Sequence, residues 1–365
     1  MAASETITSQ TGAGQANGAV PVVSVIIPAR NEEASLGSCL ESIVGQTGIA
    51  FEVIVVDDHS TDRTREIATS FSNVRVIEAG ALPEGWTGKN SAVVTGARQA
   101  GGQWLLFTDA DTVHQPGSIA RALAEAVQNG AELLSYSPEQ IAVTFWEMAT
   151  LPVVFAELAR QYPPSKVSDP LSSAAAANGQ FILIRRDTYD AVGGHAAIAA
   201  DILEDVALAS AVKRSGRKIR FRYAADAVRT RMYRNYPQLR DGWTKNLALL
   251  FPKPGELAAQ QLGVFVAFVT IGWTVLRVLL TGHAHLFFTM SPVVLSGLSF
   301  LVIIWHLYSS LRKAHFPFSA NLLVIFGMPM FAYLLLRSKR AHAKGNLTWK
   351  GRRYSDKGSA PAIGH

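Results

Sequence analysis
The sequence predicts an α/β catalytic unit on a mostly parallel sheet, followed by apolar helices long enough to cross a membrane. Three observations predict it. Residues 22–112 alternate continuous apolar strands with short helical stretches. The polar turns that close those strands carry acids and a lysine. After Pro252-Lys-Pro254 come three apolar runs, each near the roughly 20 residues a bilayer crossing needs. Of the 365 residues, 48% are hydrophobic and only 17% charged, and a mean hydropathy of +0.17 is high for a soluble enzyme.

Residues 1–20 are rich in Ala, Gly, Ser, Thr and Gln, lack the apolar core of a signal peptide, and are expected to be disordered. The run 22–27 is a β-branched strand closed by Pro28-Ala-Arg-Asn-Glu-Glu33. A helix follows over 34–46, with Leu36, Leu40, Ile43 and Val44 as its apolar stripe. The second strand, 51–56, is closed by Asp57-Asp58-His59-Ser60, and a helix covers 61–71. A third strand spans 74–77, and a Gly-rich loop leads to a helix over 90–100. Such alternation gives parallel strands with right-handed crossovers, so the turns converge on one rim. That rim carries Asn31 and Glu32, Asp57 and Asp58, Lys89, and Asp109 and Asp111.

The stretch Trp104-Leu-Leu-Phe-Thr-Asp-Ala-Asp-Thr112 organises the rest. An apolar strand runs into two aspartates, which a strand interior cannot hold unpaired. They therefore sit at the carboxyl edge of the sheet, where open α/β folds bind ligands. Residues two apart in an extended segment point the same way, and two converging carboxylates repel unless a cation lies between them. Mg2+ or Mn2+, bridging to substrate phosphates, is the expected occupant of Asp109 and Asp111. The plainer reading is a turn that caps the next helix.

Several classes are excluded or lack their signatures. Neither G-x-G-x-x-G nor G-x-x-x-x-G-K-[ST] follows the first strand. Cys39 is the single cysteine, so an intramolecular disulfide and a cysteine zinc cluster are ruled out. The net charge of +6 is weighted to the C-terminus, which suits anionic lipid rather than nucleic acid.

The motifs Ser24-Val-Ile-Ile-Pro-Ala-Arg-Asn-Glu32, Val55-Val-Asp-Asp-His-Ser-Thr-Asp62 and Thr108-Asp-Ala-Asp111 resemble, in order, those of family 2 glycosyltransferases. So do Ala177-Asn-Gly-Gln-Phe181, Gly193-Gly-His195, Ile202-Leu-Glu-Asp-Val206, Arg231-Met-Tyr233 and Gly242-Trp-Thr-Lys-Asn246. With Trp86-Thr-Gly-Lys89 and Trp349-Lys-Gly-Arg352, the pattern is similar to the membrane-bound subgroup that glycosylates carotenoids and hopanoids. The resemblance implies a GT-A fold over residues 21–250 and inverting transfer of one sugar from a nucleotide-sugar, a UDP-sugar, to a lipid hydroxyl or carboxyl. A ceramide- or polyprenyl-phosphate-type transferase and a non-catalytic sugar-nucleotide scaffold are the alternatives.

The resemblance also implies roles. Pro28, Arg30, Asn31, Glu32, Asp57 and Asp58 would line base and ribose, with Asp109. Lys89, at a helix N-terminus that attracts phosphate, would meet the diphosphate. Asp205 would be the base, and the capping-box spacing of Asp201 and Glu204 leaves it available. Asn178, Gly179, His195, Glu204, Arg231, Trp243 and Lys245 are candidates for acceptor or diphosphate contacts. Processive relatives carry Q-x-x-R-W where this chain has Gln238-Leu-Arg-Asp-Gly-Trp243, which argues for a single transfer.

Residues 144–160 read as an interfacial helix. A membrane domain of two or three spans is expected over 257–336, from the runs 262–280, 286–308 and 316–336. A basic tail covers 337–365. The protein is expected in the cell (inner) membrane as a multi-pass protein, with its catalytic unit cytoplasmic. A conflict remains: three spans put seven basic residues of 337–353 outside, against the positive-inside rule. Either one run is re-entrant or interfacial, with the Arg277 segment as first suspect, or the tail defies the rule.

Overall fold
The computed structural model describes residues 21–280, 315–345, 347–349 and 352–354, together with 298, 301, 305, 309 and 311. Three parallel strands open the chain: β1 (Val23–Ala29), β2 (Phe51–Asp57) and β3 (Val74–Glu78). Helices α1 (Leu36–Val44) and α2 (Thr64–Thr69) connect them. Helix α3 (Gly88–Gln99) leads to β4 (Trp104–Phe107), which pairs parallel with β1. These are the expected elements, with α1 and α2 two or three residues shorter at each end and α3 beginning two residues earlier than expected.

The second half closes the sheet. The elements are β5 (Thr112–His114), α4 (Ser118–Gln128), β6 (Leu133–Ser137), β7 (Glu139–Gln140), α5 (Phe145–Gln161) and α6 (Pro164–Ser168). They are followed by β8 (Ile182–Arg185), α7 (Arg186–Ala191), α8 (Glu204–Arg214), β9 (Ile219–Tyr223), β10 (Val228–Thr230) and α9 (Tyr236–Leu250). The main sheet has the order β3-β2-β1-β4-β8-β6-β9, and only β8 runs against its neighbours. Strands buried on both faces explain the unbroken apolar runs Val25 to Ile27 and Val53 to Val56. A small sheet, β5-β10-β7, braces the Asp111 turn from the side.

The C-terminal part has its own core. Helix α10 (Pro254–Leu280) is followed by α11 (Phe318–Leu322), α12 (Val324–Ala343) and the hairpin β11 (Leu347–Trp349) and β12 (Arg352–Tyr354). Helix α12 packs between α5, α9 and α10, and Leu151, Val154, Trp243, Leu247, Phe331 and Leu335 share one apolar cluster. Gly327 allows the closest approach, because a Cβ there would lie 1.9 Å from the Ala149 carbonyl oxygen.

Two expectations change here. Residues 144–160 do not lie on a surface along their length. Leu151, Val153 and Val154 of α5 are buried, and its exposed residues are Phe145 and Trp146 in the first turn and Arg160 in the last. The two acids of the stretch are taken up internally: Glu147, 1% exposed, meets Arg231, and Glu157 accepts from Gln261. The run 316–336 is likewise broken at Leu323 and packed on α5, α9 and α10. Among the described residues, one helix, Pro254–Thr274, is long and apolar enough to cross a membrane. The run 286–308 lies outside the described residues apart from Leu298, Leu301 and Trp305.

Candidate active site
A cleft of about 1060 Å³ opens along the carboxyl edge of β1 and β4. Its charged end is lined by Pro28, Arg30, Glu32, Asp58, Asp109 and Asp111. Strand β1 ends at Ala29 and β4 at Phe107, so the parallel sheet delivers these turns to one place. Arg30 donates to the Asp58 carbonyl at 2.6 Å and ties the first turn to the second.

Not every rim residue faces the cleft. Asp57 is 3% exposed and accepts from the Ser60 amide, so it closes the β2 turn. Asn31, at a φ of 54°, accepts from the Thr61 amide and donates its own amide to Ser60. Both shape the pocket wall without lining it, whereas Asp58 does line it.

The centre of the cleft is a charge relay. Thr87 caps α3 by accepting from the Asn90 amide, which holds Lys89 at the helix start. Lys89 Nζ lies 2.6 Å from Asp109 Oδ1 and 2.6 Å from Glu204 Oε1. Burial works against its charge, but Asp109 and Glu204 outweigh that and hold its pKa well above the usual lysine value. Glu204 is thus committed to Lys89, and the expected Asp201–Glu204 capping box is not the one that forms: the N-cap of α8 is Leu203, with no side-chain bond. For Glu204, burial is likewise outweighed by Lys89 and Lys245, which hold it below the usual glutamate range.

Asp205, the neighbour of Glu204, is held by two backbone amides. Its Oδ2 accepts from the Gly179 amide at 3.1 Å and its Oδ1 from the Val206 amide at 2.8 Å. Burial, and then the Glu204 carboxylate, push its pKa up to about 6. A carboxylate with such a pKa is suited to proton transfer near neutrality. Gly179 can approach only because it lacks a side chain; a Cβ would lie 3.0 Å from Lys89 Nζ and 3.3 Å from Glu204 Oε1. Asn178 sets that turn, since its side-chain oxygen accepts from the Gln180 amide.

A pH profile tests this electrostatics. The acid limb of kcat/KM is expected near pH 6, because Asp205 must be ionised to accept a proton. Glu204→Gln removes a charge that raises the Asp205 pKa, so the limb moves to lower pH. A limb unmoved by that substitution contradicts the coupling.

Two of the candidates, Arg231 and His195, and a further cation of α9, Arg240, lie apart from the cleft chemistry. Arg231 donates to both oxygens of Glu147 at 3.0 Å and does not line the cleft. His195 is 2% exposed, is paired with the Tyr189 hydroxyl, and is lowered to about 4 by burial. Arg240 is engaged by Asp241. Lys245 and Trp243 of α9 do line the cleft; burial lowers the Lys245 pKa.

The far end of the cleft was not expected from the sequence. Phe155, Leu158, Tyr162, Phe221, Tyr223 and Trp243 form an apolar arm. Tyr162 lies near enough to Asp205 that burial and then the carboxylate raise its pKa to about 12. The signal was present in β9, Ile-Arg-Phe-Arg-Tyr. Its arginines turn to Glu125, and the alternate Phe221 and Tyr223 turn to the cleft.

Asp109 and Asp111 both line the cleft beside Lys89. Among the described residues no group of three His, Cys, Asp or Glu could cage a metal. Two carboxylates without a cage fit a cation that fills its shell with substrate phosphate and water, the usual mode of Mg2+.

Residues 24–193 match the family model described as glycosyl transferase family 2. A 4,4'-diaponeurosporenoate glycosyltransferase of Staphylococcus aureus (strain MRSA252) is 29% identical over 342 residues, covering 91% of this chain and 88% of that protein. Its counterpart in strain USA300 is 28% identical over the same coverage. Among solved structures, a mannosyltransferase from Pyrobaculum calidifontis in complex with GDP-Man and Mn2+ aligns with a TM-score of 0.49. It is 15% identical and covers 89% of this chain and 87% of that chain. The family match takes in Arg30, Asp58, Lys89, Asp109, Asp111 and Gly179, while Asp205 and Lys245 follow it. The chain is a glycosyltransferase that carries a glycosyl transferase family 2 domain over residues 24–193, on a mostly parallel α/β sheet.

Proposed function
We propose that the enzyme transfers one sugar, with inversion, from a UDP-sugar to the carboxyl or hydroxyl group of a long apolar acceptor of carotenoid type. The observation that carries this reading is a single cleft with two chemistries. Its charged end suits a nucleoside diphosphate, its arm suits a hydrocarbon chain, and Asp205 lies beside Tyr162 where they meet. The relative of 29% identity, named for diaponeurosporenoate, supports the acceptor class.

The residues divide the work. Arg30, Glu32 and Asp58 line the donor end. Lys89 and Lys245 offset diphosphate charge, which grows as the sugar leaves. A divalent cation at Asp109 and Asp111, when bound, supplies further neutralisation of the leaving group. Asp205 takes the acceptor proton as the acceptor oxygen attacks the anomeric carbon. A carboxylic acid held in an apolar arm keeps its proton, so the same base serves acid and alcohol acceptors.

The reading places residues 21–250 in the catalytic unit, and 257–336 with the basic tail 337–365 at the membrane, where the acceptor dissolves. Calorimetric titration of UDP and GDP, with and without Mn2+, tests the donor end. Metal-dependent UDP binding that is lost in Asp111→Ala is expected. Failure of the folded wild type to bind either nucleotide under any metal contradicts the reading. The apolar arm has its own test: Tyr223→Ser is expected to raise KM for a long-chain acceptor and to leave UDP affinity unchanged. A change in UDP affinity without a change in acceptor KM contradicts that division.

A further inference from the structure
We propose that the chain crosses the bilayer an even number of times between residues 254 and 315, so that its basic C-terminal segment lies on the same side as the catalytic unit. The chain leaves the catalytic unit at one anchored point and comes back to it at another.

It leaves at the end of α9. The Leu250 carbonyl accepts from the Tyr162 hydroxyl at 3.0 Å, and Phe251, Leu257 and Ala258 are buried in the second apolar cluster. From there α10 runs for 27 residues, about 40 Å at helical rise. Val266, Val269, Trp273, Leu276 and Leu280 are exposed along it. A helix of that length and polarity, largely bare of protein, is suited to lipid.

It has come back by His315. That imidazole stacks on Tyr223 of β9 with ring centroids 3.9 Å apart and planes 5° apart, and Phe316 and Ala320 are buried. The 35 positions from Leu280 to His315 are enough for one return crossing of about 20 residues and its turns.

The chain then stays with the catalytic unit. Gly327 rests on the Ala149 backbone. Arg337 Nε donates to Thr244 Oγ1 at 3.1 Å, Ser338 Oγ accepts from the Ala248 amide at 2.8 Å, and His342 Nε2 lies 2.9 Å from the Lys245 carbonyl. Lys339 lies over Gly255, so α12 ends where α10 begins. The run 316–336 is therefore the one that does not cross. Exposed Lys339 sits at the entry of α10, and exposed Arg340 and Lys344 follow it at the end of α12, a basic cluster suited to the anionic headgroups of that leaflet. This is the arrangement the positive-inside rule prefers, and it removes the conflict raised by three spans.

Cysteine labelling decides the matter and does not depend on the acceptor or donor. Cys39 is fully buried and is the single native cysteine, so the background is low. Lys344→Cys and Lys218→Cys place a thiol at an exposed tail position and an exposed catalytic position. Arg340→Cys repeats the tail test if the first variant folds poorly. Full-length protein is labelled with a membrane-impermeant maleimide in right-side-out and inverted vesicles, with detergent-solubilised samples as the reference for full labelling. Tail and catalytic thiols are expected to label in the same preparation and to be shielded in the other. A tail thiol that labels only where residue 218 is shielded overturns the proposal.

Discussion
Asp205→Asn is expected to lower kcat by roughly 10²- to 10⁴-fold, the usual worth of a positioned base, with nucleotide affinity unchanged. The two backbone bonds to Asp205, from Gly179 and Val206, fix the carboxylate without consuming its charge. Asparagine keeps the shape and loses the proton acceptor. Lys89, Asp109 and Asp111 remain as they were, so the donor end is intact. The effect should fall on kcat at saturating acceptor, which marks an interaction made in the transition state. Parallel loss of UDP binding would instead give Asp205 a donor-holding role.

Arg231→Met is expected to be among the most destabilising single substitutions in the chain. Glu147 is 1% exposed, and Arg231 is its one cationic partner among the described residues. Removing one member of such a pair leaves a buried charge uncompensated, at a cost of about 3–5 kcal/mol. Glu147 also accepts from the Thr144 amide at the start of α5, so the stranded charge sits in the capping box of that helix. Thermal unfolding in detergent should show a large drop, and the double variant Glu147→Gln/Arg231→Met should recover part of it. The alternative from the sequence, a diphosphate contact, predicts the reverse: normal stability and weak donor binding.

The catalytic half was legible because its logic is local. Continuous strands such as Phe51 to Val56 announce burial on both faces, and parallel strands send their turns to one edge. Lys89, Asp109 and Asp111 follow from that, together with their order along the chain, whereas Glu204 and Asp205 were singled out by the resemblance to family 2 glycosyltransferases. What sequence reasoning missed depends on distant packing. The apolar arm draws on α5, β9 and α9, which are far apart in sequence. Arg231 looked like a free cation because its partner lies 84 positions earlier. Asp57 and Asn31 looked like ligand contacts because a turn-closing role uses the same residue types. The 144–160 stretch was misread for a related reason. Its acids suggested water, but Glu147 and Glu157 are paired by groups that only the fold brings near.

The most direct test of a charged donor end joined to an apolar acceptor arm is transfer itself. Purified full-length protein would be given a UDP-sugar, Mn2+ and, in separate reactions, a long-chain polyene acid and a soluble sugar. Products would be identified by mass spectrometry, and their anomeric configuration by NMR. The account predicts a glycosyl ester of the polyene acid, formed with inversion and absent in Asp205→Asn. Transfer to the soluble sugar with none to the polyene acid would contradict it.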